Sequence, residues 1–267
     1  MNILLESKKL SKHYNLGKNN RINVLKEVNL QIERGEFATI MGPSGSGKST
    51  LLYNLCGMDR MSSGRVNFNG KELSDLSEKS LAALRLKEMG FIFQQIHLLK
   101  NLSIQDNIIL SGYLQGRKSR RDINKRAQML MEMTGIESLA QNDITQASGG
   151  QLQRVGICRA LINEPDIIFG DEPTGALDSL SSCEIMELLR TINNSGTTVL
   201  LVTHDPKVAS KSDRVLYMVD GQIVSEKKIG RYTGNKHEAL AREKNLTEWL
   251  FAPVDEFKKN LFDKSNG

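Results

Sequence analysis

A glycine-rich loop at residues 42–50 constrains the fold of this chain more strongly than any other stretch. It reads GPSGSGKST, follows an apolar run at residues 37–41 and fits the pattern G-x-x-x-x-G-K-[ST]. In such a loop, glycines let backbone N–H groups point inward at a phosphate, and a helix that starts near the lysine adds its positive end. A plain turn between a strand and a helix would need no lysine there. The pattern therefore predicts a phosphate-binding loop between a buried strand and a helix.

The side chains near this loop have separate expected roles. Lys48 would reach the β- and γ-phosphates of a nucleotide, and the hydroxyl of Ser49 would bind Mg²⁺. The residues expected to contact the nucleotide are Gly42, Ser44, Gly45, Gly47, Lys48, Ser49 and Thr50. Tyr14, upstream of the loop, could stack on a base, although a lone tyrosine in such a place is more often simply half-buried.

Composition is typical of a globular protein. The 267 residues are 39% hydrophobic and 25% charged, which is enough chain for one large or two small domains with a sizeable core. No stretch approaches the ~18 consecutive apolar residues of a membrane span, and the start lacks a signal-peptide pattern, so we expect a cytoplasmic protein. Three cysteines without metal-ligand spacing are consistent with a reducing compartment. The net charge of +5 would suit nucleic acid or an anionic membrane surface, but the excess is small for this length and is only a weak indication.

The hydrophobic pattern is typical of an α/β protein. Alternating apolar residues predict strands at 4–10 and 24–32, and the polar segment between them includes residues 17–20. From about residue 98 to 146 the periodicity becomes helical, which indicates a helical insertion. The basic run at residues 117–121 is predicted to be a solvated helix end rather than a contact with lipid headgroups.

The C-terminal part of the chain has a weaker pattern. Residues 227–244 are polar and are predicted to be loosely structured. After Trp249, the only tryptophan, Pro253 is predicted to start a helix. Apolar residues recur around it at three- and four-residue steps and form one face: Leu246, Trp249, Leu250 and Phe251 before Pro253, and Val254, Phe257 and Leu261 after it. This apolar face would dock on the domain or, less favoured, contact a partner chain.

Three apolar runs end abruptly in polar residues. One ends at Gln94, one at the paired acids Asp171 and Glu172, and one at His204. Carboxyl ends of parallel strands line the ligand crevice of α/β proteins. There one acid would hold Mg²⁺ through its water shell, and its neighbour would orient or deprotonate an attacking water. A solvated turn is the alternative for the two acids, and a single histidine at such a place is usually structural.

A second anion-binding loop is predicted at residues 148–151, where Ser-Gly-Gly-Gln opens a helix with a three-residue apolar repeat. Plain helix capping by Ser148 explains the same residues without a ligand. One triphosphate does not need two such loops from one chain. The second loop therefore suggests a nucleotide that is held by another copy of the chain.

Together and in this order, the motifs resemble those of the ATP-binding subunit of an ABC transporter over about residues 3–226. The resemblance implies an α/β fold: a P-loop NTPase core with a mostly parallel sheet, an N-terminal antiparallel β subdomain and a helical subdomain at about residues 98–160. It implies one ABC ATPase domain at residues 1–226. The remaining residues, 227–267, would form a partly helical C-terminal extension without an assigned role.

The resemblance also implies roles for individual residues. Tyr14 would stack on adenine, residues 42–50 would be the Walker A loop, and the signature motif at 147–151 would bind nucleotide through Ser148, Gly149, Gly150 and Gln151. Mg²⁺ would be bound by Ser49, the Q-loop Gln94 and the Walker B Asp171. Catalysis would depend on Lys48, Glu172 and the switch histidine His204, and residues 175–178 resemble the D-loop. Two positions depart from the family pattern: Ala147 replaces the usual leucine, and Cys158 a commonly small residue.

Finer features at residues 90–94 and 171–179 resemble the branch that contains macrolide exporters, lipoprotein-release systems and bacitracin or lantibiotic resistance transporters, most closely the antimicrobial-peptide resistance type. This implies a homodimer that binds ATP and Mg²⁺ and powers a separate integral membrane permease from the cytoplasmic face of the membrane, without direct nucleic-acid contact. The alternatives are a lipoprotein-release or macrolide-export ATPase, or a cell-division or mechanotransmission ATPase without a transported solute. A soluble ABC ATPase acting on nucleic acid or ribosomes is disfavoured, because neither a long coiled coil nor a second ATPase half is present.

Overall fold

The structure is a computed structural model, and it describes residues 2–15 and 21–251. These residues form two compact units. One unit comprises the described parts of Met1–Asp75 and Leu200–Gly267, and the other is Leu76–Val199. In the described part of the chain, none of the helices combines the length and apolar character needed to cross a bilayer.

The strands, in chain order, are β1 (Ile3–Asn15), β2 (Arg21–Glu33), β3 (Phe37–Met41), β4 (Ser63–Phe68), β5 (Lys71–Glu72), β6 (Met89–Phe93), β7 (Ile167–Asp171), β8 (Thr198–Val202), β9 (Arg214–Val219) and β10 (Gln222–Lys228). The α-helices are α1 (Lys48–Leu55), α2 (Glu78–Glu88), α3 (Ile104–Gln115), α4 (Arg120–Thr134), α5 (Gly149–Leu161), α6 (Ser179–Asn194), α7 (Pro206–Ala209) and α8 (Lys236–Leu250). The predicted α/β fold with an antiparallel β subdomain and a helical region is confirmed.

The first unit contains a four-stranded antiparallel sheet in the order β2-β1-β4-β5. Its first two strands are longer than the predicted segments at 4–10 and 24–32, because register shifts interrupt the simple alternation of apolar residues. Lys9 and Glu27 have positive φ angles of 48° and 49° in these strands. Such irregularities shift side chains between faces, so the alternation alone stops short of the true strand ends.

A second group of strands in this unit leads to the glycine-rich loop. β9 lies between β10 and β3, and the part of β8 that belongs to this unit is the next neighbour of β3. β3 and β9 are parallel, with Met41 opposite Tyr217. β9 and β10 form a hairpin whose turn residues, Asp220 and Gly221, both have positive φ angles, as an Asp-Gly hairpin turn requires. All five residues of β3 are buried, which explains its continuous apolar sequence.

The second unit combines helices with the parallel pair β6 and β7, whose register runs from Met89 opposite Ile167 to Phe93 opposite Asp171. The basic run at 117–121 forms the start of α4, as predicted. Ser119 caps this helix, and Lys118 pairs with Glu164 at 2.6 Å. The run therefore has partners within its own unit.

The prediction of a loose segment at residues 227–244 is wrong. β10 continues to Lys228, and α8 begins after Asn235, whose side chain caps it. Leu246 on α8 is fully buried, and a buried arginine, Arg242, supplies most of the polar anchoring. Hydropathy treats an arginine as a surface residue, so the anchored helix gave little signal. Of the predicted apolar face, Leu246, Trp249 and Leu250 pack against Met41, Ala209 and Val215 of the same unit. The predicted helix start at Pro253 and the apolar residues after it lie outside the described residues.

Candidate functional site

The glycine-rich loop of the first unit lies against β9 and the β9–β10 turn. Gly42 has φ +155°, and a Cβ atom there would lie 2.0 Å from the carbonyl oxygen of Met218 in β9. The N–H of Gly221, in the β9–β10 turn, donates to Ser46 O at 3.0 Å. Only a glycine permits the close approach at position 42. The loop therefore has a defined shape before any ligand arrives.

Lys48 spans this loop from its position at the start of α1. Its ammonium donates to the carbonyl oxygens of Gly42 at 2.9 Å and Pro43 at 2.8 Å, and the residue is 8% exposed. The N-cap of α1 is Gly47 in the left-handed conformation, which offers no side chain to the first amides of the helix. A buried cation at a helix N-terminus, beside the exposed Ser44 and Gly45, fits the phosphates of a nucleotide.

Tyr14 is anchored close to the loop. Its hydroxyl donates to Asp59 Oδ2 at 2.7 Å and also hydrogen-bonds Thr50, which belongs to the loop. Lys12 donates to Asp59 Oδ1 at 2.6 Å, and its ammonium lies 4.8 Å from the centroid of the Tyr14 ring. The tyrosine remains 42% exposed. Its ring is therefore oriented by its hydroxyl and not buried in the core.

Titration reflects the same contacts. Burial raises the pKa of the Tyr14 phenol, and the hydrogen bond and charge of Asp59 add to this shift. Burial alone would also raise the pKa of Asp59, but the bonds from Lys12 and Tyr14 outweigh it and hold the pKa below its usual value. Sequence reasoning missed Asp59 and Lys12. The available signal was that Lys12 and Tyr14 are two apart on one strand and so share a face.

His204 follows β8 and lies in the same unit as the loop. The N–H of Thr203 donates to Ile40 O at 3.1 Å, which fixes the residue before His204 beside β3. Asp205 then caps the short helix α7 through Lys207 N at 2.8 Å. His204 is exposed, at the end of the strand next to the one that leads into the glycine-rich loop.

In the second unit, the strand register brings Gln94 next to the paired acids. Phe93 lies opposite Asp171, so Gln94 and Glu172 leave their strands side by side. Gln94 also contacts the backbone of Gly175, since a Cβ atom there would lie 3.0 Å from its Nε2. The carboxylate of Asp171 and the amide oxygen of Gln94 are hard oxygen donors of the kind that Mg²⁺ prefers.

Glu172 has an unusual backbone conformation, with φ +47°. A residue with a side chain in this region costs roughly 1–3 kcal/mol, and such residues cluster at active sites. The carbonyl of Glu172 accepts a hydrogen bond from Gly175 N at 3.0 Å, which holds the turn. The conformation directs the chain sharply away from β7 immediately after Asp171.

The residues at 148–151 form a capping box at the start of α5. Gln151 N donates to Ser148 Oγ at 3.3 Å, and Ser148 N donates to Gln151 Oε1 at 2.8 Å. The plain capping expected of Ser148 is thus present. The two glycines lie against the D-loop side of the unit: a Cβ on Gly149 would meet Leu177 at 3.6 Å, and one on Gly150 would meet Ser181. A Cβ at Gly150 would lie only 3.1 Å from Ser181 Oγ, so a side chain there would displace that hydroxyl, whereas one at Gly149 would make an ordinary contact.

Cys158, one of the two departures from the family pattern, lies deep in the second unit. Its thiol is 3.2 Å from Thr134 Oγ1, and burial raises its pKa to about 12. A thiol that stays protonated at neutral pH is a poor nucleophile and metal ligand. Cys158 therefore acts as a core residue.

The predicted site residues form two groups, one in each unit. The first unit places the loop at 42–50 and His204 at the ends of the neighbouring strands β3 and β8, and Tyr14 of β1 hydrogen-bonds the loop through Thr50. The second brings together Gln94, Asp171, Glu172, the D-loop at 175–178 and the residues at 148–151.

Known proteins are similar over most of the chain. A family profile described as "ABC transporter" matches residues 25–175. The macrolide export ATP-binding/permease protein MacB of Neisseria meningitidis serogroup B is 42% identical over 223 residues, which are 84% of this chain and 34% of MacB. The lipoprotein-releasing system ATP-binding protein LolD 1 of Chlorobium chlorochromatii is 39% identical over 241 residues, 90% of this chain and 98% of LolD. The chain thus spans about a third of the length of its MacB relative and nearly all of LolD.

A solved structure agrees with these relatives. The ATP-binding cassette MJ0796, described as a dimer in a post-hydrolysis state bound to ADP and Pi, is 40% identical. It superposes with a TM-score of 0.80 over 86% of this chain and all of that chain. The chain therefore belongs to the ABC transporter family, as an ATP-hydrolysing ATP-binding cassette similar to those of MacB and LolD.

Proposed function

We propose that the chain works as a homodimer that closes around two ATP molecules and drives a separate integral membrane permease. Each ATP would lie between the loop at 42–50 of one copy and the residues at 148–150 of the other. The observation that carries this proposal is the buried Lys48, held by Gly42 and Pro43 in a preformed phosphate loop. The similar cassette MJ0796 is a dimer in a post-hydrolysis state that still holds both ADP and Pi, which supports the homodimer.

The roles proposed for this chain's residues follow from their chemistry. Lys48 and the first amides of α1 bind the phosphates, and Tyr14 orients the base. Ser49, Gln94 and Asp171 are the proposed protein ligands, direct or through water, of Mg²⁺. When bound, ATP with Mg²⁺ supplies the γ-phosphoryl group that is transferred to water. Glu172 positions that water, and Lys48 and His204 stabilise the charge that develops.

Hydrolysis is proposed to power export through a change between closed and open dimers. Ser148, Gly149, Gly150 and Gln151 form the half of the clamp that contacts the other copy's ATP. The residues at 148–151 of one copy and the loop at 42–50 of the other would contact the same ATP. ATP binding would therefore favour the closed dimer, and loss of the γ-phosphate would let the dimer open. We propose that this cycle acts on the permease at the cytoplasmic face of the membrane.

The cargo proposed first is an antimicrobial peptide, from which the cell gains resistance. This rests on the resemblance of residues 90–94 and 171–179 to that branch. The names of the relatives favour a second candidate, macrolide export or lipoprotein release. Co-expression with candidate permeases separates them: the permease that co-purifies with the chain and raises its ATPase rate identifies the system. Recovery with ribosomes or DNA instead would contradict a transport function.

Substitution Glu172→Gln tests the catalytic part of the proposal. Glutamine keeps the shape of the side chain but removes the carboxylate, so ATP should bind and hydrolysis should fall by about a hundredfold or more. Light scattering after gel filtration should show a dimer with ATP and a monomer with ADP. Glu248→Gln, at an exposed carboxylate, is the control. A Glu172→Gln protein that hydrolyses ATP at the parent rate would exclude this role.

A further inference from the structure

The C-terminal helix α8 is bonded to the backbone that follows His204. Arg242 on this helix is 8% exposed. Its guanidinium donates to four carbonyl oxygens: Ser212 at 2.6 Å, Ser210 at 2.7 Å, Gly230 at 2.9 Å and Ile229 at 3.3 Å. It also meets Glu238 at 3.3 Å. A buried guanidinium is tolerated only when its donors are satisfied, so this set of bonds fixes where α8 lies.

Two of these carbonyls belong to the segment that carries His204. Ser210 and Ser212 come directly after α7, which begins two residues beyond the histidine. Helix α7, which lies between His204 and Ser210, is stabilised by hydrogen bonds from Ala209 N to Asp205 O and from Ser210 N to Pro206 O. A single turn of this kind moves as one piece. A shift of Arg242 would therefore reach His204 through four residues of helix.

The apolar side of α8 contacts the strand that feeds the glycine-rich loop. Leu246 is fully buried in a cluster with Met41, Ala209 and Val215. Met41 is the last residue of β3 and immediately precedes Gly42. Burying a leucine of this size contributes roughly 1.5–3 kcal/mol, which is enough to hold a helix with few other apolar residues. The same helix thus touches both the loop's supporting strand and the end of α7.

Trp249 lies at the end of α8 against the same strands. Its ring is 6.0 Å from that of Tyr217, edge to face, and the ammonium of Lys227 lies 5.8 Å from it. Tyr217 is the residue opposite Met41 in the β3–β9 pair. Because Trp249 is the only tryptophan of the chain, tryptophan fluorescence reports on the surroundings of this one residue.

We infer that α8 is a positioning element for ATP hydrolysis, and that Arg242 is its positioning residue. By fixing the backbone after α7, Arg242 holds His204 where it can stabilise the transferring phosphoryl group. Through Leu246, the helix also packs against Met41 of β3, the strand that leads into the phosphate loop, and through Trp249 it packs against Tyr217 of the neighbouring β9. The inference rests on the proposed role of His204.

A purely structural role for α8 makes a different prediction. If the helix only covered apolar surface, loosening it would lower the melting temperature and leave kcat per folded molecule unchanged. If α8 positions His204, loosening the helix should lower kcat and leave KM for ATP nearly unchanged, because the transfer step depends on His204 and ATP binding depends on the loop. These two readouts distinguish the roles.

The test compares three variants of the full chain. Arg242→Met should lower kcat about tenfold while KM for ATP stays within about twofold, since small displacements of a catalytic group are costly. Arg242→Lys keeps one cationic donor and should lie between this variant and the parent. Lys244→Met removes an exposed ion pair with Glu248 on the same helix and should match the parent. ATP should change Trp249 emission in the parent and in Lys244→Met, and this response should be lost in Arg242→Met.

The outcomes separate this inference from the proposed function. His204→Ala should abolish hydrolysis yet retain the Trp249 response. A His204→Ala protein with the parent rate contradicts the proposed function, whatever Arg242 does. A folded Arg242→Met protein with parent kcat and parent Trp249 response overturns the positioning role. If Arg242→Met does not fold, Arg242→Lys decides the question by the same two measurements.

Discussion

The hydroxyl of Tyr14 donates to Asp59 Oδ2 at 2.7 Å, and this bond joins β1 to the segment that follows α1. Lys12 completes the arrangement, since its ammonium bonds Asp59 and covers one face of the tyrosine ring. A base can then stack on the opposite face. The arrangement orients the ring in advance, which lowers the entropic cost of binding a nucleotide.

Substitution Asp59→Asn should therefore weaken ATP binding without changing the chemistry. We expect KM for ATP to rise roughly threefold to tenfold and kcat to stay near the parent value, because loosening an aromatic contact removes about 1 kcal/mol. Steady-state rates with ATP and with inorganic triphosphate measure this. Triphosphate has no base, so its KM should not change. The exposed Asp75→Asn is the control, and an equal loss with both substrates would contradict base orientation.

The carboxylate of Asp59 should also make the free energy of unfolding depend on pH in the acidic range. The pKa of Asp59 lies below its ordinary value of 3.8 in the folded chain, so its charge adds stability above that pH, and the contribution is lost as pH falls through the folded pKa. Because the side chain is about one-third exposed, we expect about 1 kcal/mol at pH 7. Urea unfolding of the parent and Asp59→Asn should show this difference at pH 7, and the difference should shrink as the pH falls below 3.8. A difference that stays constant down to pH 3 would exclude this linkage.

The strand ends are the part of the site that sequence predicts well. The apolar runs before Gln94 and Asp171 stop at polar residues, and parallel strands place their carboxyl ends at one edge. The structure indeed aligns Phe93 with Asp171. This works because burial of a whole strand leaves a continuous apolar signal that ends abruptly where the ligand side begins.

Contacts between distant residues are the part that sequence does not predict. Asp59 and Arg242 are charged residues in polar stretches, and periodicity gives no sign that they bond Tyr14 or Ser210. Each makes a hydrogen bond with a buried or half-buried partner that lies tens of residues away in the sequence. Pattern analysis registers where apolar side chains recur, whereas a charged residue buried by its hydrogen bonds leaves no such recurrence.

Two of the three glycines of the phosphate loop, Gly42 and Gly45, offer a matched pair for measuring how tightly the loop is held. A Cβ at Gly42 would lie 2.0 Å from Met218 O, whereas a Cβ at Gly45 would meet nothing within 4 Å. Both have positive φ angles, +155° and +78°. Gly45→Ala should thus cost only about 1–2 kcal/mol, the strain of the left-handed backbone. Gly42→Ala should cost more than about 4 kcal/mol, because a backbone oxygen in β9 cannot move aside as a flexible side chain can.

Denaturant unfolding of the nucleotide-free protein measures both alanine variants under conditions where phosphate binding plays no part. The difference between them reports chiefly the clash with Met218 O, the nearest atom to the added methyl group at position 42, with a smaller part from Ser46 Oγ at 3.0 Å. Equal losses of stability at the two positions would mean that the loop can lift away from β9. The loop would then take its shape only around the phosphates, and the shape held by Met218 and Gly221 would not precede binding.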